Sequence, residues 1–192
     1  MKPMRSLARA YARLRYGTVP EPLDKWYPHG GVFWTWSMTE TMVEATWRHL
    51  PANIRNLAVL EAASVIDCPW CLDFGSHVAA RNGLNEAKIR NLHNWRSSDA
   101  YDEDERLAIE FAEQMSATPV EIEPALVERA RERFGPKGFV ELTASIALEH
   151  QRSRFNKAVG AMPQGWSRVC ALPTAVGPTP GDQGHKAVQQ VH

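Results

Sequence analysis

No stretch of this 192-residue sequence comes near the roughly 20 consecutive apolar residues that a membrane-spanning helix requires. Net charge of either sign is missing too. The 22 Lys and Arg balance 22 Asp and Glu, so no global field draws in nucleic acid or an anionic membrane surface. Cysteine is scarce: three residues with a single close pair do not make the framework of a small secreted disulfide domain. The amino-terminal segment carries Lys2, Arg5, Arg9, Arg13 and Arg15 but no uninterrupted apolar block. It therefore reads as a basic amphipathic helix rather than a secretory signal, and a cytoplasmic location is expected. Alternation of apolar and polar residues over a strand's length is absent as well, which removes the thioredoxin-type setting for a close cysteine pair.

What is present has helical period. Leu7, Tyr11 and Leu14 share one face of a first helix that Gly17 and Pro20 end. A connection rich in Pro and Gly, from Pro20 to Gly31, leads to aromatic residues 32–36, and Ser37 or Thr39 is the expected cap of the next helix. Residues 54–66 form a strongly apolar helix. Pro69 sits where a first-turn proline belongs, which places Cys68 at the N-cap of a helix reaching about Asn82, with Gly83 as its stop. Helices over 85–93, 102–117, 120–134 and 137–159 follow, the last two separated by Gly135-Pro136. The expected organisation is a basic helix and linker at 1–25, one all-α helical domain at 26–168, and a mobile tail at 169–192 that has no aromatic residue. Cys170, at the start of that tail, carries no expected role.

Cys68 and Cys71 are the most informative residues. A disulfide between such near neighbours removes little entropy from the unfolded chain and stabilises little. The chemistry it permits is thiolate attack on a peroxide or disulfide, with the partner thiol resolving the product. Structural zinc needs four ligands, and no second pair accompanies this one. Two buried cysteines acting as small hydrophobes remain the plain alternative.

The run at 57–84, centred on Cys68-Pro69-Trp70-Cys71-Leu72-Asp73-Phe74-Gly75-Ser76, resembles the carboxymuconolactone decarboxylase-like superfamily and, within it, the alkylhydroperoxidase D-like branch. Residues 140–156, followed by Gly160, Pro163, Gln164 and Gly165, are similar to that branch's closing segment. The resemblance spans about residues 26–166. It implies an all-helical unit that assembles as a homo-oligomer, often a trimer or hexamer. It implies that Cys71 is attacked by peroxide and becomes a sulfenic acid, that Cys68 resolves it, and that an external dithiol recycles the pair without a cofactor or metal. Members of the branch relay protons through a histidine four residues after the second cysteine and a glutamate twelve before the first. This chain has Gly75 and Asn56 there.

Substitutes are therefore needed. Glu61 lies seven positions before Cys68 and shares its face if the helical course continues, which makes it a candidate proton acceptor; an ion pair with an arginine of the last helix is the alternative. His77 lies six residues past Cys71, about 240° around the helix, so it faces away. It is a candidate base only through another wall of the site or a neighbouring subunit, and otherwise a hydrogen-bonded or exposed histidine. Glu149, His150, Arg152 and Arg154 form either an ion-pair cluster or, through Glu149 or His150, the missing relay. Asp67 is a candidate cap for the helix, Asp73 flanks the pair, and Trp70 is placed to close a pocket over it. The leading function is a thiol-dependent hydroperoxidase or disulfide reductase acting on a hydroperoxide or other small molecule. A cofactor-free lyase of the decarboxylase type and a non-catalytic oligomeric binding module are the alternatives.

Overall fold

The computed structural model describes residues 2–166; Cys170 and the expected tail lie outside them. Helix follows helix: α1 (Lys2–Tyr16), α2 (Glu21–Trp26), α3 (Gly30–Thr46), α4 (Ala52–Val65), α5 (Pro69–Arg81), α6 (Glu86–Arg90), a 3₁₀ turn (Leu92–Ser97), α7 (Glu103–Ser116) and α8 (Pro124–Ala158). No strand occurs among the described residues. The all-α expectation holds.

α4 is the axis of the fold, with α5, α7 and α8 packed around it. Apolar residues occupy almost its whole circumference, which is the pattern of a helix with neighbours on every side. On one side Ile54, Ala58 and Ala62 meet Leu107 and Phe111 of α7 and Leu142 and Ile146 of α8. Alanine at these steps lets the helices approach closely. On the other side Leu57 and Leu60 meet Ala79, Ile89, Leu92 and Trp95. Each fully buried leucine contributes about 2–3 kcal/mol.

Three details differ from the sequence reading. The proline-rich connection contains α2, because Pro22 sits in its first turn, where a missing N–H costs nothing. α3 begins before its aromatic residues: His29 is its N-cap, with Nδ1 accepting from Val32 N–H at 3.1 Å, so Ser37 and Thr39 lie inside the helix. The face of α1 that carries Leu7 and Leu14 points outward, at 72% and 85% exposure, and it is Ala12 that is buried. The expected break at Gly135 is present, with φ at 66°.

Charge ties the amino-terminal helices to one another and to α3. Arg5 Nη2 meets Asp24 Oδ1 at 2.8 Å and Arg15 Nε meets Glu44 Oε2 at 2.9 Å. The 25/26 boundary drawn from sequence falls at the last turn of α2, and the preceding residues supply one wall of the site described next.

Candidate functional site

The cysteine pair is positioned by a helix stop. Asp67 adopts φ 58°, the left-handed conformation usual for glycine. Its N–H bonds Ser64 O at 2.9 Å while Cys68 N–H bonds Ala63 O at 3.0 Å, the two closing bonds of a Schellman turn. The chain reverses at once into α5, with Cys68 as N-cap and Pro69 at the first helical position. Cys71 N–H donates to Cys68 Sγ at 3.3 Å. The two sulfurs are joined in a disulfide with their Cα atoms 5.2 Å apart. Asp67 therefore does not cap α5; its carboxylate pairs with Lys157 at 3.4 Å.

Cys71 lies on the wall of a cavity of about 270 Å³ bounded by α1, α2, α3, α4, α5 and α8. Cys68 does not line it and is 1% exposed, behind its partner. From α8, Asn156 Nδ2 donates to Cys71 Sγ at 3.4 Å. Trp70 also lines the cavity, stacked on Phe74 with ring centroids 5.0 Å apart. Its indole N–H donates to Gln164 Oε1 at 3.1 Å. Asp73 accepts from Gln164 N–H at 2.7 Å and Gly165 N–H at 2.8 Å, which straps the closing segment over α5.

Both positions at which the resemblance has relay groups, Asn56 and Gly75, line this same cavity. A Cβ on Gly75 would meet Leu60 Cδ2 at 3.0 Å, so Leu60 holds the space a larger side chain would enter. From α8 the cavity takes the polar side chains of Ser145, Glu149, Arg152 and Asn156, and facing them are Arg15 of α1, Glu40 and Glu44 of α3, and Arg55 of α4. Glu149 is buried, accepts from Ser153 Oγ at 2.7 Å and lies 3.5 Å from Arg152 Nη1. Burial raises its pKa above the ordinary carboxyl value, outweighing Arg152 and Ser153. Arg152 in turn donates to Glu40 Oε1 through Nε at 2.8 Å. Tyr16, hydrogen-bonded to Glu44, has its pKa raised by burial first and by Glu44 second.

The remaining sequence candidates lie elsewhere. Glu61 does not line the cavity; its charged neighbours are Glu113 of α7 and Arg96 of the 3₁₀ turn. The helical extrapolation from Glu61 to Cys68 fails because the left-handed turn at Asp67 reorients everything after it. His77 faces away from Cys71, as its angular position requires, and its Nε2 donates to Tyr16 O at 2.8 Å. His150 pairs through Nε2 with Ser116 Oγ at 2.8 Å, on the α7 side. Its pKa is lowered by burial first and Arg154 second, and Arg154 is exposed. Among the described residues, no group of His, Cys, Asp and Glu is arranged to hold a metal ion.

Glu61 carries a stability prediction. Burial, helped by Glu113 and opposed by Arg96, pushes its pKa up from 4.5 to about 8. Between those values the folded chain keeps a proton that the unfolded chain has released, so stability falls as pH rises through the window and the full penalty stands above it. Glu61→Gln is expected to stabilise the protein by on the order of 2 kcal/mol at pH 8, a rise in Tm of about 4–8 °C. The difference should vanish toward pH 5. Parallel Tm–pH curves for the two proteins would contradict the burial argument.

The family described as "Carboxymuconolactone decarboxylase family" matches residues 33–114. The uncharacterized protein YnjA of Escherichia coli (strain K12) is 34% identical over 158 residues, covering 82% of this chain and 86% of that protein. YdfG of Bacillus subtilis (strain 168), also uncharacterized, is 28% identical over 107 residues, covering 55% of this chain and 73% of that one. Among solved structures, the debrominase Bmp8 superposes with a TM-score of 0.77 at 20% identity, covering 85% of this chain and 88% of Bmp8. A protein of unknown function from Agrobacterium tumefaciens, described as a candidate antioxidant defence protein AhpD, superposes with a TM-score of 0.61 at 22% identity. It covers 70% of this chain and 90% of its own. At such identities the two structures speak for the fold alone.

Proposed function

The chain belongs to the carboxymuconolactone decarboxylase family, and from that premise we propose that it is a dithiol oxidoreductase reducing hydroperoxides at Cys71. The observation that carries this reading is asymmetric placement: Cys71 forms cavity wall, and Cys68 lies bonded behind it, out of a substrate's reach.

In the reduced chain, the Cys71 thiolate attacks the terminal oxygen of a hydroperoxide. An S–O bond forms as the O–O bond breaks, giving a sulfenic acid and an alkoxide. The alkoxide takes a proton and leaves as the alcohol. Cys68 then attacks Cys71 Sγ, the S–S bond forms, and water departs. Two electrons have passed from the thiols to the peroxide, and an external dithiol in a reducing compartment such as the cytoplasm returns them. Asn156 Nδ2, directed at Cys71 Sγ, favours negative charge on the attacking sulfur.

Glu149 is the proton donor of this scheme, because it lines the cavity and burial favours its protonated form. Glu149→Gln is expected to slow turnover about 100-fold, the lower range for general acids. It should also remove from the pH–rate profile the descending limb expected of the parent as Glu149 ionises. An unchanged pH–rate profile would exclude Glu149 from the role.

The test of the reading is a thiol count on the reduced protein before and after a small excess of cumene hydroperoxide, with a sulfenic-acid trap and mass readout. Rapid loss of two thiols supports it. Thiols that stay reduced overturn it and move the search to acid–base chemistry around Glu149 and Arg152.

The same reading includes self-assembly as a trimer or hexamer. Leu7 and Leu14 of α1 and Trp34, Met38 and Met42 of α3 are exposed apolar residues suited to a second copy. Sedimentation of the full chain as a trimer or hexamer supports this, and a monomer at micromolar concentration contradicts it.

A further inference from the structure

A buried polar atom without a partner costs about 1–3 kcal/mol, and native folds keep few of them. Among the described residues five buried side-chain atoms find no hydrogen-bond partner: Trp26 Nε1, Ser37 Oγ, Asn56 Nδ2, Ser145 Oγ and Asn156 Oδ1. All five residues line the cavity that holds Cys71, although they come from α2, α3, α4 and α8. Ser145 and Asn156 are only 3% and 2% exposed. Such convergence of unpaired groups on one space is the signature of a site built for a polar-edged ligand.

The donor and acceptor pattern describes that ligand. Trp26 Nε1 and Asn56 Nδ2 can only donate, Asn156 Oδ1 can only accept, and the two hydroxyls can do either. Two of the three arginines in the wall, Arg15 and Arg152, are already matched by carboxylates. Arg15 pairs with Glu44, Arg152 with Glu40 and Glu149, and Arg55 Nη1 donates to Trp47 O at 2.7 Å. A carboxylate ligand would share the wall with Glu40, Glu44 and Glu149, and only by reaching Arg55 would it avoid breaking an ion pair. The volume of about 270 Å³ is far larger than a two-oxygen peroxide needs, given that a water's share of liquid is about 30 Å³. Leu23, Val43, Phe74 and Leu148 supply apolar wall between the polar atoms.

We propose that this cavity binds an uncharged, ring-sized organic molecule, presenting acceptors to Trp26 and Asn56 and a donor to Asn156. The proposal rests on the thiol reading above and narrows its substrate to organic hydroperoxides of this kind. Asn156 then has two tasks. Its Nδ2 holds Cys71 Sγ, and its Oδ1 receives the hydroperoxide O–H, so one amide brackets the attacking sulfur and the oxygen attacked.

Two redox-inert probes test the site in the oxidised full-length protein by calorimetry: methyl 4-hydroxybenzoate and its anionic parent, 4-hydroxybenzoate. The expected result is saturable one-to-one binding of the ester, with the anion at least tenfold weaker. Asn56→Leu and Ser145→Ala should each weaken the ester about fivefold, the effect of one hydrogen bond. Asn56→Leu should do so without lowering Tm, because it removes an unpaired buried group; a residue with a merely structural role would lose stability and leave affinity alone. In the reduced protein, the ester should slow thiol oxidation by cumene hydroperoxide. Absence of saturable ester binding, preference for the anion, unaltered affinity in both variants, or oxidation indifferent to saturating ester each overturns the proposal. If the ester binds as expected while the hydroperoxide leaves the thiols reduced, the ligand site stands and the thiol reading falls.

Discussion

Cys71→Ser is expected to lower hydroperoxide-dependent turnover by at least ~10³-fold, the scale on which removal of a nucleophile is felt. Cys68→Ser is expected to consume one equivalent of hydroperoxide and stop, with a sulfenic acid trapped on Cys71. Two physical effects compete over this assignment. The start of α5 favours charge on Cys68, since Cys71 N–H donates to its sulfur and the helix N-terminus lies there. Access favours Cys71, which meets the cavity while Cys68 is 1% exposed. Access decides, because a better-stabilised thiolate that no substrate reaches does not react. Asn156 also compensates Cys71 with a hydrogen bond of its own. A sulfenic acid found on Cys68 in the Cys71→Ser protein would reverse the roles, and turnover surviving in both variants would place the reaction elsewhere.

The largest expected loss of stability comes from Glu141, a residue with no part in the chemistry. Its carboxylate accepts from the N–H groups of Arg48 at 3.0 Å, His49 at 2.7 Å and Leu50 at 2.8 Å, and meets His49 Nδ1 at 2.7 Å. These residues turn the chain from α3 into α4. Burial by itself would raise the pKa of Glu141; the His49 ring and the backbone N–H groups of Leu50, His49 and Arg48 outweigh it and hold the pKa below 4.5. Glu141→Ala strands three backbone donors at once and is expected to cost about 4 kcal/mol, a fall in Tm of roughly 8–16 °C. Glu141→Gln keeps one acceptor oxygen and should lose about half as much. A lowered carboxylate pKa means the stabilisation is present above the unfolded value and is lost as pH falls through the folded one. The gap between parent and Glu141→Gln should therefore narrow as pH falls below the unfolded carboxyl value of about 4.3. Thermal melts across pH check both statements; a melt within 2 °C of the parent for Glu141→Ala, well short of the fall expected from roughly 4 kcal/mol, would refute them.

The helices around the cysteines were legible because their signals are local. Pro69 and Gly83 punctuate α5, and the apolar run of α4 has the length of a buried helix. The turn at Asp67 was not legible, since a left-handed aspartate leaves none of the punctuation a glycine would. That one residue is why Glu61 was placed on the wrong face. The cavity was hidden for another reason: its walls come from six helices whose arrangement is a tertiary fact. Even so, one trace was in the sequence. Ser145, Glu149, Arg152 and Asn156 recur at helical spacing along α8, a polar stripe pointing inward in a helix that otherwise packs against the core.

The strap formed by Gln164 and Gly165 joins parts of the chain made far apart in time. Gln164 Oε1 accepts from Trp70 Nε1 and from Glu21 N–H, and both backbone donors reach back to Asp73. During synthesis, Trp70 and the two thiols beside it emerge long before the segment that covers them. Closure over the pair thus waits on residues made some ninety positions later, and a ribosome paused short of residue 164 would hold the dithiol without its strap.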